Sequence, residues 1–238
     1  MSGSQSSTKY YYYNHSIEEL EQFYYYEFYK IKNKYYGNSE KLNKYLFSYF
    51  FSTFFYQNYN ALGIKKFFNT EQSTKELEVM LEFFEKNNFE RDFLTMLYYY
   101  GIKLILNPED EELYYESKRI FKENLDKLDR ATKFNIGCIL TNYCAGHIMN
   151  GNLKFNSEQF ELFKLLLKND ILTKYEGEYF DPYVFSNIIG LSTTLGHITW
   201  CQKFIDKYHD KLNPVDRNNH YYFGMFALNR SQNKLDLA

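Results

Sequence analysis

The sequence predicts an all-α fold arranged as an α-α superhelix, a solenoid of antiparallel helix pairs behind an N-terminal helical cap. Three observations predict it. Hydroxyl, Asp or Asn residues followed by carboxylates recur along the chain, as helix N-termini require. Period-two alternation and Asn-Gly turns between β-branched runs are missing, so no strand competes. The C-terminal quarter also repeats itself: Gly190 and Ala227, Gly196 and Asn233, Ile198 and Leu235, and Cys201 and Ala238 each stand 37 residues apart. Repeats of this length mark helix pairs that bury their apolar faces only by stacking on their neighbours.

The elements follow in order. Residues 1–15 read as a disordered tail, and residues 16–70 as the cap. Ser16 before Ile17-Glu18-Glu19 starts a helix over 17–33, and Ser39 before Glu40 starts another over 40–59. Asn60-Ala61-Leu62-Gly63 and 69–72 read as a linker. Ser73-Thr74-Lys75-Glu76 is a capping box, with Leu77, Met80, Leu81 and Phe84 on one face of a helix over 74–87. A helix over 90–106 precedes Asn107-Pro108-Glu109-Asp110-Glu111-Glu112, where a cap, a first-turn proline and acidic residues begin a helix over 109–127. Residues 130–150 end at Asn150-Gly151, a helix stop. Helices over 157–169, 182–195, 198–211 and 215–231 follow, and a last one begins near Lys234.

Residues 71–238 therefore read as the repeat array. The first helices of successive pairs begin near Arg91, Arg130, Asp181 and Val215, spaced 39, 51 and 34 residues apart. The long middle interval holds an insert, 171–180, which is either a functional loop or a cover for the apolar edge of two hairpins. The chain ends inside the second copy of the repeat. An array continuing past Ala238 is expected, as is self-association through an apolar edge at 235–238.

Composition narrows the function. The 238 residues contain 26 Tyr and 23 Phe against one Trp, with a net charge of −2. Abundant Phe, Tyr, Asn, Lys and Ile are expected of a gene from an AT-rich genome, with aromatics filling core positions. No global positive field marks a nucleic-acid binder. Cys138, Cys144 and Cys201 lie in apolar helical stretches as reduced thiols, which fits a cytoplasmic protein. The N-terminus lacks the basic and apolar regions of a signal peptide, so Asn14-His15-Ser16 and Asn229-Arg230-Ser231 carry no glycosylation signal. The apolar stretch 45–59 is too short, and too interrupted by Ser48, Ser52, Thr53 and Gln57, to span a membrane.

Around the C-terminal repeat the pattern becomes more specific. Gly196 and Asn233 sit at the turn between the two helices of a pair, Cys201 and Ala238 at a small position of the second helix, Tyr222 at an early aromatic of the first, and Asn213-Pro214 at the close of the unit. This resembles tetratricopeptide (TPR) repeats over 181–238, and over 90–170 in helix lengths alone. Ile189 and Phe226 stand at the family's small position in the first helix, with Gly190 and Ala227 one place later, and Tyr208 replaces another small residue. The resemblance implies a non-enzymatic scaffold that offers a groove to a protein or peptide. It places Tyr183, Ser186, Thr193 and Thr194 in that groove from one unit, and His220, Phe223, Arg230 and Ser231 from the next. The Lys and Asn clamp for a C-terminal carboxylate has no counterpart in these positions.

Other chemistry finds no motif. Cys138 points away from Cys144 and His147 on one helix, and the break at Gly196 separates His197 from Cys201, so no metal or cofactor is expected. A nucleophile elbow and a phosphate loop are both missing, and no catalytic residue is expected. A nucleic-acid reader using Lys164, Lys168, Lys174, Lys203, Lys207 and Lys211 and a small-ligand sensor remain as alternatives.

Overall fold

A computed structural model describes residues 7–29, 39–68, 74–87, 89, 91–171 and 173–232. Every regular element among them is helical: α1 Thr8–Tyr24, α2 Ser39–Phe68, α3 Lys75–Lys86, α4 Phe93–Leu106, α5 Glu111–Glu123, α6 Arg130–Met149, α7 Lys154–Lys168, α8 Pro182–Thr194, α9 Ile198–Tyr208 and α10 Arg217–Ser231. A π-helical turn follows α1, and 3-10 turns follow α5 and α9. No helix is long and apolar enough to cross a membrane, among the described residues. The chain divides into two compact units, 1–132 and 133–238, with the division just inside α6.

In the first unit α2 packs on both α1 and α4, and α4 on α5. Its core is aromatic: Phe51 and Phe55 of α2, both buried, meet Phe84 of α3 at 4.9 and 5.2 Å between ring centroids. Two expectations fail here. The run Tyr10–Tyr13 is helical, not tail, because Ser7 caps α1 by accepting from the Tyr10 N–H at 3.1 Å. Tyr11 is buried and donates its hydroxyl to Asp92 at 2.8 Å, a contact between residues far apart in the chain. Ser16 lies inside α1, its hydroxyl donating to the Tyr12 carbonyl at 3.1 Å. Residues 1–6 and 30–33 lie outside the described residues. The second failure is the linker at 60–63, through which α2 continues because its packed face outweighs the weak helix propensity of Asn60 and Gly63.

Two caps also differ. Thr74 directs its hydroxyl to the Glu78 carboxylate at 2.7 Å and makes no cap bond, while Ser73 lies outside the described residues. Asp110, not Asn107, caps α5 by accepting from the Leu113 N–H at 3.3 Å. Pro108 sits in the preceding turn, closed by the Asp110 N–H on the Asn107 carbonyl at 3.1 Å.

In the second unit the helices alternate as two pairs and a single, α6/α7, α8/α9 and α10. Both pairs turn the same way. At Gly151, φ is +86°, the Gly151 N–H donates to Ile148 O and Asn152 N–H to His147 O; at Gly196, φ is +75°, Gly196 N–H donates to Thr193 O and His197 N–H to Ser192 O. Each is a Schellman stop, which needs a residue that tolerates the left-handed region. α7 begins at Lys154, three residues earlier than expected, because buried Phe155 is held against Tyr143 and His147 of α6 at 5.7 and 4.3 Å. α10 begins at Arg217, where the guanidinium donates to the Asp210 carboxylate and carbonyl at 3.0 and 2.9 Å and ties the preceding turn to the helix.

Candidate functional site

α8 is placed by its ends. Asp181 accepts from the Tyr183 and Val184 N–H groups at 2.8 and 3.0 Å, Pro182 occupies the first turn, and the Gly196 motif closes the helix. One face, Phe185, Ile188, Ile189 and Ser192, is buried. Against it lies α10, whose Gly224 brings the two helices close: a Cβ there would stand 2.8 Å from Ile189 Cδ1 and 3.4 Å from Ile205 Cδ1 of α9. Ser186 and His220 are hydrogen-bonded at 3.0 Å. The pairs 186/220 and 189/224 advance together, so α8 and α10 run parallel.

That register corrects the small positions expected from the repeat. Gly190 has open space where a Cβ would stand, Phe226 is exposed, and the close approach is made by Gly224 on buried Ile189. A glycine's role depends on which side chain crosses over it, which the sequence pattern does not contain.

The expected groove residues fall into two sets. Tyr183, Ser186 and His220 come together: the Tyr183 ring meets the His220 ring edge-on at 6.4 Å, and Tyr183 is 75% exposed. Phe223 lies one turn beyond His220 on α10 and is exposed. Thr194 and Arg230 are exposed near the C-terminal ends of α8 and α10. Thr193 and Ser231 are turned back on their own helices, Thr193 donating to the Ile189 and Gly190 carbonyls and Ser231 to Leu228 O at 2.6 Å. The proposed second copy of the hairpin, from Asn233 onward, lies outside the described residues, as does the apolar edge 235–238.

The insert at 171–180 is anchored by its last residue. Phe180 is 2% exposed, packs on Phe185, Phe204 and Tyr208, and donates its N–H to Lys211 O at 2.8 Å. Tyr175 and Tyr179 remain exposed above it. The cysteines remain thiols. Burial, with Asp181 nearby, pushes the Cys138 thiol up to about 11, and burial raises that of Cys201 beside Ser192. Among the described residues no group of three His, Cys, Asp or Glu could hold a metal ion.

A second surface lies on the other helices of the pairs. Lys164, Leu167 and Lys168 of α7 and Trp200, Lys203, Phe204, Lys207 and Tyr208 of α9 line a groove of about 320 Å³. Its floor is an aromatic row: Trp200 stacks on Phe204 at 5.5 Å, Phe204 lies against Tyr208 at 5.1 Å, and Phe160 supports Trp200 edge-on at 4.8 Å. Four of the six lysines noted in the sequence converge here. Lys211 stands beside them over the Tyr208 ring, and Lys174 lies apart over Tyr175. The lysine spacing was legible; the aromatic floor was hidden because Trp200, Phe204 and Tyr208, at i, i+4 and i+8, read equally as core.

No protein-family model, curated protein or solved structure matches the chain.

Proposed function

We propose that residues 133–238 form a non-enzymatic, TPR-like helical-repeat scaffold that binds a protein or peptide on the α8/α10 face, in a cytoplasmic setting. The parallel register of α8 and α10 carries this reading, since it sets Tyr183, Ser186 and His220 side by side with Phe223 one turn on. The repeated glycine turn at Gly151 and Gly196 supports the repeat. Exposed aromatics next to a histidine and hydroxyl offer the amphipathic anchors that protein interfaces favour. The three thiols fit a reducing compartment.

Selection of random peptides on the full chain tests it. Ligands of this face should lose about tenfold in affinity on Tyr183→Ala or Phe223→Ala, the cost of removing one anchor. Ligands that bind both variants as tightly as the parent protein would dispose of the assignment.

A further inference from the structure

The groove between α7 and α9 concentrates positive charge in a chain whose net charge is −2. Lys164 and Lys168 stand at i, i+4 on α7; Lys203 and Lys207 stand at i, i+4 on α9, with Lys211 four residues further. Like charges at this spacing destabilise a helix, so both rows work against stability. Neutralisation within the protein is partial. Lys164 pairs with Glu161, and Lys211 lies 3.9 Å from Asp170, whereas Lys168, Lys203 and Lys207 have no carboxylate partner among the described residues. Asp206, the acid nearest in sequence on α9, is hydrogen-bonded by Gln202 at 2.9 Å.

We infer that this groove binds a short acidic peptide segment of another protein, held in extended form with its carboxylates on Lys168, Lys203 and Lys207 and an apolar side chain against Leu167 and Trp200. Lysines one helical turn apart are spaced about 6 Å along the axis. Alternate side chains of an extended peptide, about 7 Å apart on one face, match that spacing. A single-stranded nucleic acid fits less well, because base stacking needs open ring faces. Phe204 and Tyr208 are 3% and 7% exposed, and Lys207 and Lys211 lie over the Tyr208 ring. Only Trp200 of the row reaches the surface. The site is separate from the α8/α10 face and does not rest on it.

Trp200 is the only tryptophan, so its fluorescence reports this groove alone. The full chain is titrated with a heptapeptide of six glutamates around a central leucine, with the same peptide carrying lysine for glutamate, and with an oligothymidylate of similar length. The glutamate peptide should change Trp200 emission saturably, and binding should weaken with added salt. The lysine peptide should have no effect. The oligothymidylate should bind about tenfold more weakly, or not at all. The exposed triple variant Lys168→Glu, Lys203→Glu, Lys207→Glu should lose at least about tenfold for the glutamate peptide, and the corresponding alanine variant should lose less. Phe223→Ala should leave this titration unchanged, which separates failure here from failure of the α8/α10 reading. Absence of saturable binding by the glutamate peptide, equal affinity of the parent and the triple glutamate variant, or tighter binding of the oligothymidylate would each overturn the inference.

Discussion

Gly224 is where the α8/α10 packing is most exposed to test. In Gly224→Ala the new methyl stands 2.8 Å from Ile189 Cδ1 and 3.4 Å from Ile205 Cδ1, both on fully buried side chains. Replacing a helical glycine by alanine gains about 1 kcal/mol of helix propensity. Overpacking of a closed core costs about 1–3 kcal/mol. The single variant is thus expected to be destabilised by about 1 kcal/mol. Ile189→Val alone removes the colliding Cδ1 and costs about 1 kcal/mol of lost packing. In the double variant that loss should vanish, because the methyl that departs is the one the alanine displaces. The clash is gone as well, so only the alanine propensity gain of about 1 kcal/mol remains, and the coupling between the two positions is about 3 kcal/mol and favourable. Urea unfolding followed by Trp200 emission measures all four corners of the cycle. Additivity within about 0.3 kcal/mol would refute the close approach, and with it the parallel register.

Asp181→Ala removes the acceptor for two N–H groups at the start of α8 and should cost about 1 kcal/mol in urea unfolding; Asp181→Asn should retain most of that. Phe180→Ala should cost about 3 kcal/mol, since the ring is buried among Phe185, Phe204 and Tyr208; a loss below about 1 kcal/mol would remove the anchoring role of the insert. The Cys138 thiol, pushed up to about 11, stays protonated near pH 8 and should react with a disulfide reagent far more slowly in the native than in the unfolded protein. An equal native rate contradicts its burial. Glu85 is held below the ordinary carboxylate range by the Tyr99 hydroxyl at 2.7 Å and then the Lys103 ammonium at 3.0 Å. Its contribution is present above the unfolded carboxylate pKa and lost as pH falls through the lower folded value. Tyr99→Phe should therefore move the acid-unfolding limb to higher pH, and an unmoved limb would count against the hydrogen bond.

Much of the fold was legible where local chemistry decides it. Asp181-Pro182 begins α8, and Gly151 and Gly196 end α6 and α8, because caps, first-turn prolines and left-handed glycines act within a few residues. The illegible parts depend on distant partners. Tyr10–Tyr13 looks like a polar tail until Asp92 accepts from Tyr11, and Asn60-Ala61-Leu62-Gly63 looks like a linker until α2 packs on α1 and α4. Of the candidate residues, Ser186 and Tyr183 of α8 both contact His220 of α10, a proximity of two helices separated in sequence. The Thr193 and Ser231 hydroxyls bond carbonyls of their own helices, a local preference that spacing alone does not reveal.

The central claim, a binding face made jointly by α8 and α10, is tested most directly by backbone amide chemical shifts of the full chain with a selected peptide. The account predicts shifts clustered at Tyr183, Ser186, His220, Phe223 and Arg230, on both helices at once. Shifts confined to one helix, or lying wholly outside α8 and α10, would contradict it.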